Sequence, residues 1–174
     1  PEVDEEGRLL EADFGRFTLV SLYLPSGSSS DKRQGIKESW MAHMIPWLRA
    51  KRKSKRNVLI CGDWNIAHTK DDLKNWRSNQ KNSGFLPQER TWMSQVFGQE
   101  GWTDLFRKLH PSATGSAYTW WSNRGRAREN NVGWRLDYQV ATPGLARRVR
   151  SAEVHPVPKY SDHAPLCLNF SDSP

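Results

Sequence analysis

The chain has little cysteine. Only Cys61 and Cys167 occur in 174 residues. Neither has a partner at zinc-site spacing. Both fall in expected strands and read as small apolar core residues of a protein from a reducing compartment. Long apolar runs are also missing, so no segment reads as a transmembrane helix or a signal peptide. A membrane partner is therefore not expected. No repeat and no internal linker divides the sequence, and at this length it reads as one domain, 1–174. The tail Ser171-Asp172-Ser173-Pro174 is expected to be disordered. Acid is scarce relative to base, 19 Asp and Glu against 26 Lys and Arg, for a net charge of +7. That balance favours a polyanionic partner, although ribosomal and membrane-surface proteins share it. Tryptophan, in contrast, is plentiful at nine residues. Most of these are expected in the core, and some in a base or sugar pocket.

The most informative stretch is Cys61-Gly62-Asp63-Trp64-Asn65, directly after the apolar run Val58-Leu59-Ile60. A buried strand ends there. Two-residue alternation points an acid and an amide the same way at the open end of a sheet. A carboxylate can hold a hard cation or take a proton from water, and an amide can orient an oxyanion. The plain alternative is a polar turn after a core strand. Three further strand ends carry polar groups. Ser161-Asp162-His163-Ala164-Pro165 precedes the apolar Leu166-Cys167-Leu168. Trp134-Arg135-Leu136-Asp137-Tyr138 alternates like a strand and carries one acid. Tyr23 closes a strand just before Pro25. Taken singly, His163 reads as a capping histidine, Asp137 as a partner of Arg135, and Tyr23 as strand packing. Four such ends in one small chain favour a site. Neighbouring residues on a strand face opposite ways. Asp162 and His163 therefore do not pair, and the imidazole needs a distant carboxylate, for which Asp137 is the best candidate.

Helices and strands are mixed, so the pattern alone predicts an α/β or α+β class. Strands are expected at residues 17–24, 57–61, 118–122, 134–142, 152–155 and 165–170. Asp31 is placed as the cap of a helix reaching residue 52, with Ile36, Trp40, Met44, Trp47 and Leu48 as its core stripe. A second helix opens at Pro87, and a short one covers residues 103–109. The basic run over residues 49–56 reads as a solvated helix end.

The wording and order of six pieces resemble the exonuclease III family of Mg-dependent DNA repair nucleases, within the endonuclease/exonuclease/phosphatase group. They are Leu22-Tyr23-Leu24-Pro25-Ser26-Gly27, Gly62-Asp63-Trp64-Asn65-Ile66-Ala67, Asn79-Gln80-Lys81-Asn82-Ser83-Gly84-Phe85, Tyr118-Thr119-Trp120-Trp121, Gly133-Trp134-Arg135-Leu136-Asp137-Tyr138 and Ser161-Asp162-His163-Ala164-Pro165. The resemblance implies a four-layer α/β sandwich of two mixed sheets flanked by helices. It also implies hydrolysis of the phosphodiester 5′ to abasic sites, with 3′→5′ exonuclease and 3′-end cleaning activity. Alternatives are a phosphatase of the same fold acting on small phosphoesters or lipids, and an inactive DNA-binding fragment.

Carried residue by residue, the resemblance makes Tyr23, Asp63, Asn65, Asp137 and His163 catalytic. It assigns Asp162, Asp63 and Asn65 to the cation, which is Mg²⁺ or, alternatively, Mn²⁺. Asn75, Arg77, Asn79, Asn82, Asn123 and Arg124 become DNA contacts, which position the backbone without reading sequence. Trp120, Trp134 and Leu136 become the pocket for a flipped-out baseless sugar. The implied partner is double-stranded DNA with abasic sites or 3′ ends, and the implied protein is a cytoplasmic, nucleoid-associated monomer. The family opens with a further segment that supplies an Asn and a metal-binding Glu. The acids Glu2, Asp4, Glu5, Glu6, Glu11 and Asp13 lie in no matching context for that ligand. The chain is expected to correspond to the C-terminal two-thirds of such an enzyme and, on its own, to be poorly soluble and inactive.

Overall fold

A computed structural model describes residues 4–171. The tail expectation for Asp172, Ser173 and Pro174 lies outside the described residues, as does Glu2. The strands are β1 (Leu9–Asp13), β2 (Phe17–Tyr23), β3 (Asn57–Asp63), β4 (Thr103–Asp104), β5 (Trp120–Trp121), β6 (Gly133–Trp134), β7 (Asp137–Ala141), β8 (Val149–Val154) and β9 (Leu166–Phe170). The helices are α1 (Asp31–Lys53), α2 (Trp76–Asn79), α3 (Pro87–Phe97), α4 (Leu105–Leu109) and α5 (Pro143–Ala146). Five strands form one mixed sheet in the order β1-β2-β3-β7-β4. β2 and β3 run parallel, joined by α1, and the other neighbours are antiparallel.

Alternation along the strands divides the sheet into two faces. Val20, Leu22, Val58, Ile60, Tyr138 and Val140 turn towards α1 and α3, where they meet Trp40, Met44, Leu48, Trp92, Met93 and Val96. The expected stripe of α1 is thus core, with Ile36 and Trp47 at its partly buried margin. Leu19, Leu59, Cys61 and Ala141 turn the other way, towards Leu105, Leu145, Val149, Leu168 and Phe170. The layers are therefore helices, mixed sheet and the β8–β9 ribbon, an α/β sandwich. Besides the mixed sheet, the described residues hold two antiparallel ribbons, β5–β6 and β8–β9.

Several local expectations change. β1 carries no strong signal in the sequence, yet it pairs along its whole length with β2. The cap of α1 is Ser30, whose hydroxyl accepts from the Arg33 N–H at 3.3 Å. Asp31 is already helical, and its acid sits in the first turn where the helix dipole favours it. Cys167 is exposed rather than core. Period-two alternation puts it with Asn169 on the outer face of β9, while Leu168 faces inward. Arg135 does not pair with Asp137.

Arg135 is instead 1% exposed and anchors a buried charge network. Its Nε donates to Asp72 Oδ1 at 2.7 Å, and its Nη1 lies 2.7 Å from Asp104 Oδ2. Arg107 reaches the same Asp72 oxygen at 2.5 Å, and the Thr69 N–H and hydroxyl donate to Oδ2. The guanidinium also lies 4.2 Å from the centre of the Tyr138 ring. Burial alone raises the Asp72 pKa, but Arg135 and Arg107 outweigh it and hold the acid at about 2. The net stabilisation is therefore complete above the ordinary value of 3.8 and is lost as pH falls through about 2. Replacing Asp72→Asn strands a buried arginine and costs about 3–5 kcal/mol near neutral pH. Urea denaturation should show that gap at pH 7 and a progressively smaller gap between pH 4 and pH 2. A pH-independent gap contradicts the account.

Candidate active site

Strand register assembles the site. In β2–β3 Tyr23 stands opposite Asp63, and in β3–β7 Asp63 stands opposite Asp137. Three strand ends thus set a phenol and two carboxylates in a row. Gly62 makes the close approach workable. At φ +141° a Cβ there would lie 1.9 Å from the Leu22 carbonyl oxygen, so only glycine fits the end of β3.

Asp63 and Asn65 are neighbours, but not through strand alternation. The chain leaves β3 after Asp63 and Asn65 takes a left-handed φ of +51°. The Asn65 N–H then donates to Asp63 Oδ1 at 2.8 Å, and Asn65 Nδ2 donates to Asp63 Oδ2 at 3.0 Å. This is an Asx-type turn, for which Asn is well suited. Nδ2 also donates to the Leu24 carbonyl at 2.8 Å. Both amide protons are occupied, and the side-chain carbonyl oxygen is left as an acceptor. Trp64 between them is fully buried against Trp92 and Tyr138.

Sequence reasoning missed what holds this turn. Lys37 and Glu89 are fully buried and pair at 2.6 Å. Lys37 Nζ also donates to the Asn65 carbonyl at 2.7 Å. Glu89 accepts from the Gly84 N–H at 2.7 Å and the Leu86 N–H at 2.9 Å. One ion pair therefore ties α1, α3, the Asn65 turn and the loop before α3. Lys37 directly follows Ile36, the first member of the core stripe, and a lysine carries no apolar signal, so the sequence pattern did not mark it.

His163 Nδ1 lies 2.8 Å from Asp137 Oδ2, as the opposite-face argument requires. Thr119 Oγ1 accepts from the N–H groups of Leu136 and Asp137, both at 3.1 Å, which fixes the start of β7. Asp162 points away from His163 and accepts from Trp120 Nε1 at 3.0 Å. Burial, reinforced by Asp137, pushes the Asp63 pKa up to about 7. The hydrogen bond to Asp137 raises the His163 pKa and favours its cation.

These groups open on a cleft of about 650 Å³. Tyr23, Asp63, Asn65, Asp162 and His163 line it, and Asp137 serves it through His163. Tyr23 stands at the rim, 51% exposed, with the Arg8 guanidinium 4.7 Å from its ring centre. Trp120, Trp134 and Leu136 form an apolar wall of the same cleft. Asn79 and Asn82 also line it, together with Lys81, Ser83 and the Ser28–Ser30 turn, which sequence reasoning did not assign. Asn75 and Arg77 do not line it. Asn75 gives its carbonyl to Asn79 Nδ2, and Arg77 stacks on Trp76. Asn123 lies in an adjoining cavity of about 200 Å³ that shares Asp162 with the main cleft. Arg124, exposed, is its neighbour in the same loop.

The early acids make contacts elsewhere. Asp4 accepts from the N–H groups of Arg8 and Leu9, Glu6 pairs with Arg8 and Arg33, Glu11 with Lys51, and Asp13 with Arg56. Among the described residues no three His, Cys, Asp or Glu side chains gather closely enough to enclose an ion. The donors present fit a hydrated hard cation that needs few protein oxygens. They are Asp162 Oδ1 and Asn65 Oδ1, which take no hydrogen bond among the described residues and belong to side chains lining the cleft.

The sequence profile of the Endonuclease/Exonuclease/phosphatase family matches residues 3–163. The chain is 38% identical over 167 residues to the DNA repair nuclease APEX1 of Danio rerio, covering 96% of this chain and 53% of that protein. It is 35% identical over 167 residues to an exodeoxyribonuclease of Bacillus subtilis, covering 96% of this chain and 65% of that protein. The chain thus spans about half to two-thirds of the length of these relatives. Among solved structures it is similar to an AP endonuclease from Archaeoglobus fulgidus, with a TM-score of 0.89 and 26% identity, covering 99% of this chain and 68% of that one. No helix of the described residues is long and apolar enough to cross a membrane.

The buried pair gives a direct test. Glu89→Gln leaves Lys37 charged without its partner and should cost about 3–5 kcal/mol. Hydrogen exchange should accelerate at the Gly84 and Leu86 amides well before the sheet amides respond. Equal loss of protection across the sheet contradicts a local role for the pair.

Proposed function

The chain belongs to the Endonuclease/Exonuclease/phosphatase family, and on that ground we propose that it is a DNA repair nuclease of the exonuclease III type. It hydrolyses the phosphodiester 5′ to an abasic site, and the same site carries 3′→5′ exonuclease and 3′-end cleaning activity. It acts as a monomer on double-stranded DNA in the cytoplasm. The row Tyr23–Asp63–Asp137, with His163 held at 2.8 Å from Asp137, is the observation that carries this reading.

A phosphodiester resists attack by water, so catalysis needs a positioned nucleophile and positive charge or donors at the phosphoryl oxygens. Asp63 takes the proton of the attacking water. Its raised pKa keeps it basic enough for the task and still available near neutral pH. Asn65 spends both amide protons on Asp63 and Leu24, and so holds the carboxylate in place. The water oxygen bonds to phosphorus while the bond to the 3′-oxygen breaks. His163, kept protonated by Asp137, and the Tyr23 hydroxyl stabilise the charge gathering on the phosphoryl oxygens. A divalent cation, Mg²⁺ or alternatively Mn²⁺, would supply charge neutralisation to the reacting phosphate when bound. Asp162 and Asn65, with Asp63 beside them, would be its oxygen donors on this chain. Trp120, Trp134 and Leu136 receive the flipped-out sugar, which costs least to extrude where the base is already gone. Asn75, Arg77, Asn79, Asn82, Asn123 and Arg124 hold the backbone phosphates on either side.

The reading is tested with the purified natural protein on a duplex carrying one abasic site. Mg²⁺-dependent incision is expected. Asp63→Asn and His163→Ala should each lower it about 10²–10⁴-fold, the usual scale for a proton-transfer group. Incision that survives Asp63→Asn, or a wild type that leaves the abasic duplex intact, overturns the reading.

A further inference from the structure

Trp120 is more than a wall of the cleft. One part of its indole is apolar surface: it pairs across β5–β6 with Trp134 and meets that ring edge-on, centroids 6.5 Å apart at 77°. Its polar edge turns the other way, and Nε1 donates to Asp162 Oδ2 at 3.0 Å. The backbones of the two segments are joined as well. The Ala164 N–H donates to the Thr119 carbonyl at 2.7 Å, the Trp121 N–H to the Asp162 carbonyl at 3.1 Å, and Trp120 bridges His163. Residues 119–121 and 162–164 therefore form one hydrogen-bonded unit.

Asp162 needs such support. It follows a loop whose apolar side chains stand in solvent, with Val157 81% and Tyr160 78% exposed. Among the described residues the Trp120 indole is the side-chain donor to its carboxylate, and Oδ1 is left uncommitted on a residue that lines the cleft. A hydrogen bond to one carboxylate oxygen fixes the direction of the other, as groups behind a metal ligand commonly do.

Building on the nuclease reading, we propose that Trp120 is a positioning residue for Asp162: its indole N–H orients the carboxylate so that Oδ1 faces the divalent cation. The wall of the abasic pocket and the cation site then share one side chain. In the native side chain, reading the lesion and holding the metal are coupled at this position. Phenylalanine keeps an aromatic wall and lacks the N–H, so the two roles can be separated by substitution.

Mn²⁺ binding to the natural protein without DNA, followed by electron paramagnetic resonance, gives a readout independent of activity. Trp120→Phe should weaken Mn²⁺ binding about 10-fold or more, the scale expected when a partner behind a ligand is lost. The KM for abasic duplex should change much less. Wild-type Mn²⁺ affinity in Trp120→Phe overturns the proposal while leaving the nuclease reading intact. A wild type that incises abasic DNA yet binds no Mn²⁺ also overturns it. A second variant probes the bond itself. In Asp162→Ala the Trp120 indole N–H resonance should move upfield while the Trp134 indole resonance stays in place. An unmoved Trp120 resonance overturns the hydrogen bond on which the proposal stands.

Discussion

The pairing of β3 with β7 is the constraint on which the site depends. It sets Asp63 directly opposite Asp137, two acids side by side at the end of a buried sheet. Like charges so placed disfavour joint ionisation, and each must find its own compensation. Asp137 finds it in His163, 2.8 Å away. Asp63 finds it in the N–H groups of the Asn65 turn, and retains a pKa pushed up to about 7. A register slip of one residue would reverse both side chains and dismantle the cleft.

Two buried ionic clusters hold that register from opposite sides. Lys37 and Glu89 pin the turn after β3 to α1 and α3, on the helical face of the sheet. Arg135, with Asp72 and Asp104, pins the approach to β7. None of these charged side chains lines the cleft, and buried pairs of this kind are poor sources of net stability. Their value lies in geometry. Each satisfies backbone and side-chain groups that a loop could not leave unpaired in the interior. The cleft is therefore polar at its surface and rigid behind it, the arrangement that preorganised electrostatic stabilisation requires.

Much of this was legible in the residues. The long α1 stripe declared itself by spacing, because a 23-residue helix samples its period many times. The strands carrying Tyr23 and Asp63 followed from apolar runs ending in turn residues. The pairing of His163 with Asp137 followed from the opposite faces of Asp162 and His163. Other features were hidden for physical reasons. β1 is an exposed edge strand with weak apolar patterning, and only its partner β2 defines it. The nearness of Asn65 to Asp63 comes from a left-handed turn, which the alternation rule does not contain. The buried pairs of Lys37 with Glu89 and of Arg135 with Asp72 and Asp104 were hidden, since charge pairs distant in sequence become visible only when the fold brings them together. Cys167 looked like core because β9 is half apolar, and only the layer order shows which face is covered.

The most direct test of this account is the state of the His163 ring in solution. Nitrogen-15 NMR of the imidazole should show a proton on Nδ1, shifted downfield by its bond to Asp137. That signal should vanish in Asp137→Ala while the amide resonances of β3 persist. An Nδ1 without a proton, or a signal indifferent to the loss of Asp137, would contradict the claim that the β3–β7 register builds the Asp137–His163 pair.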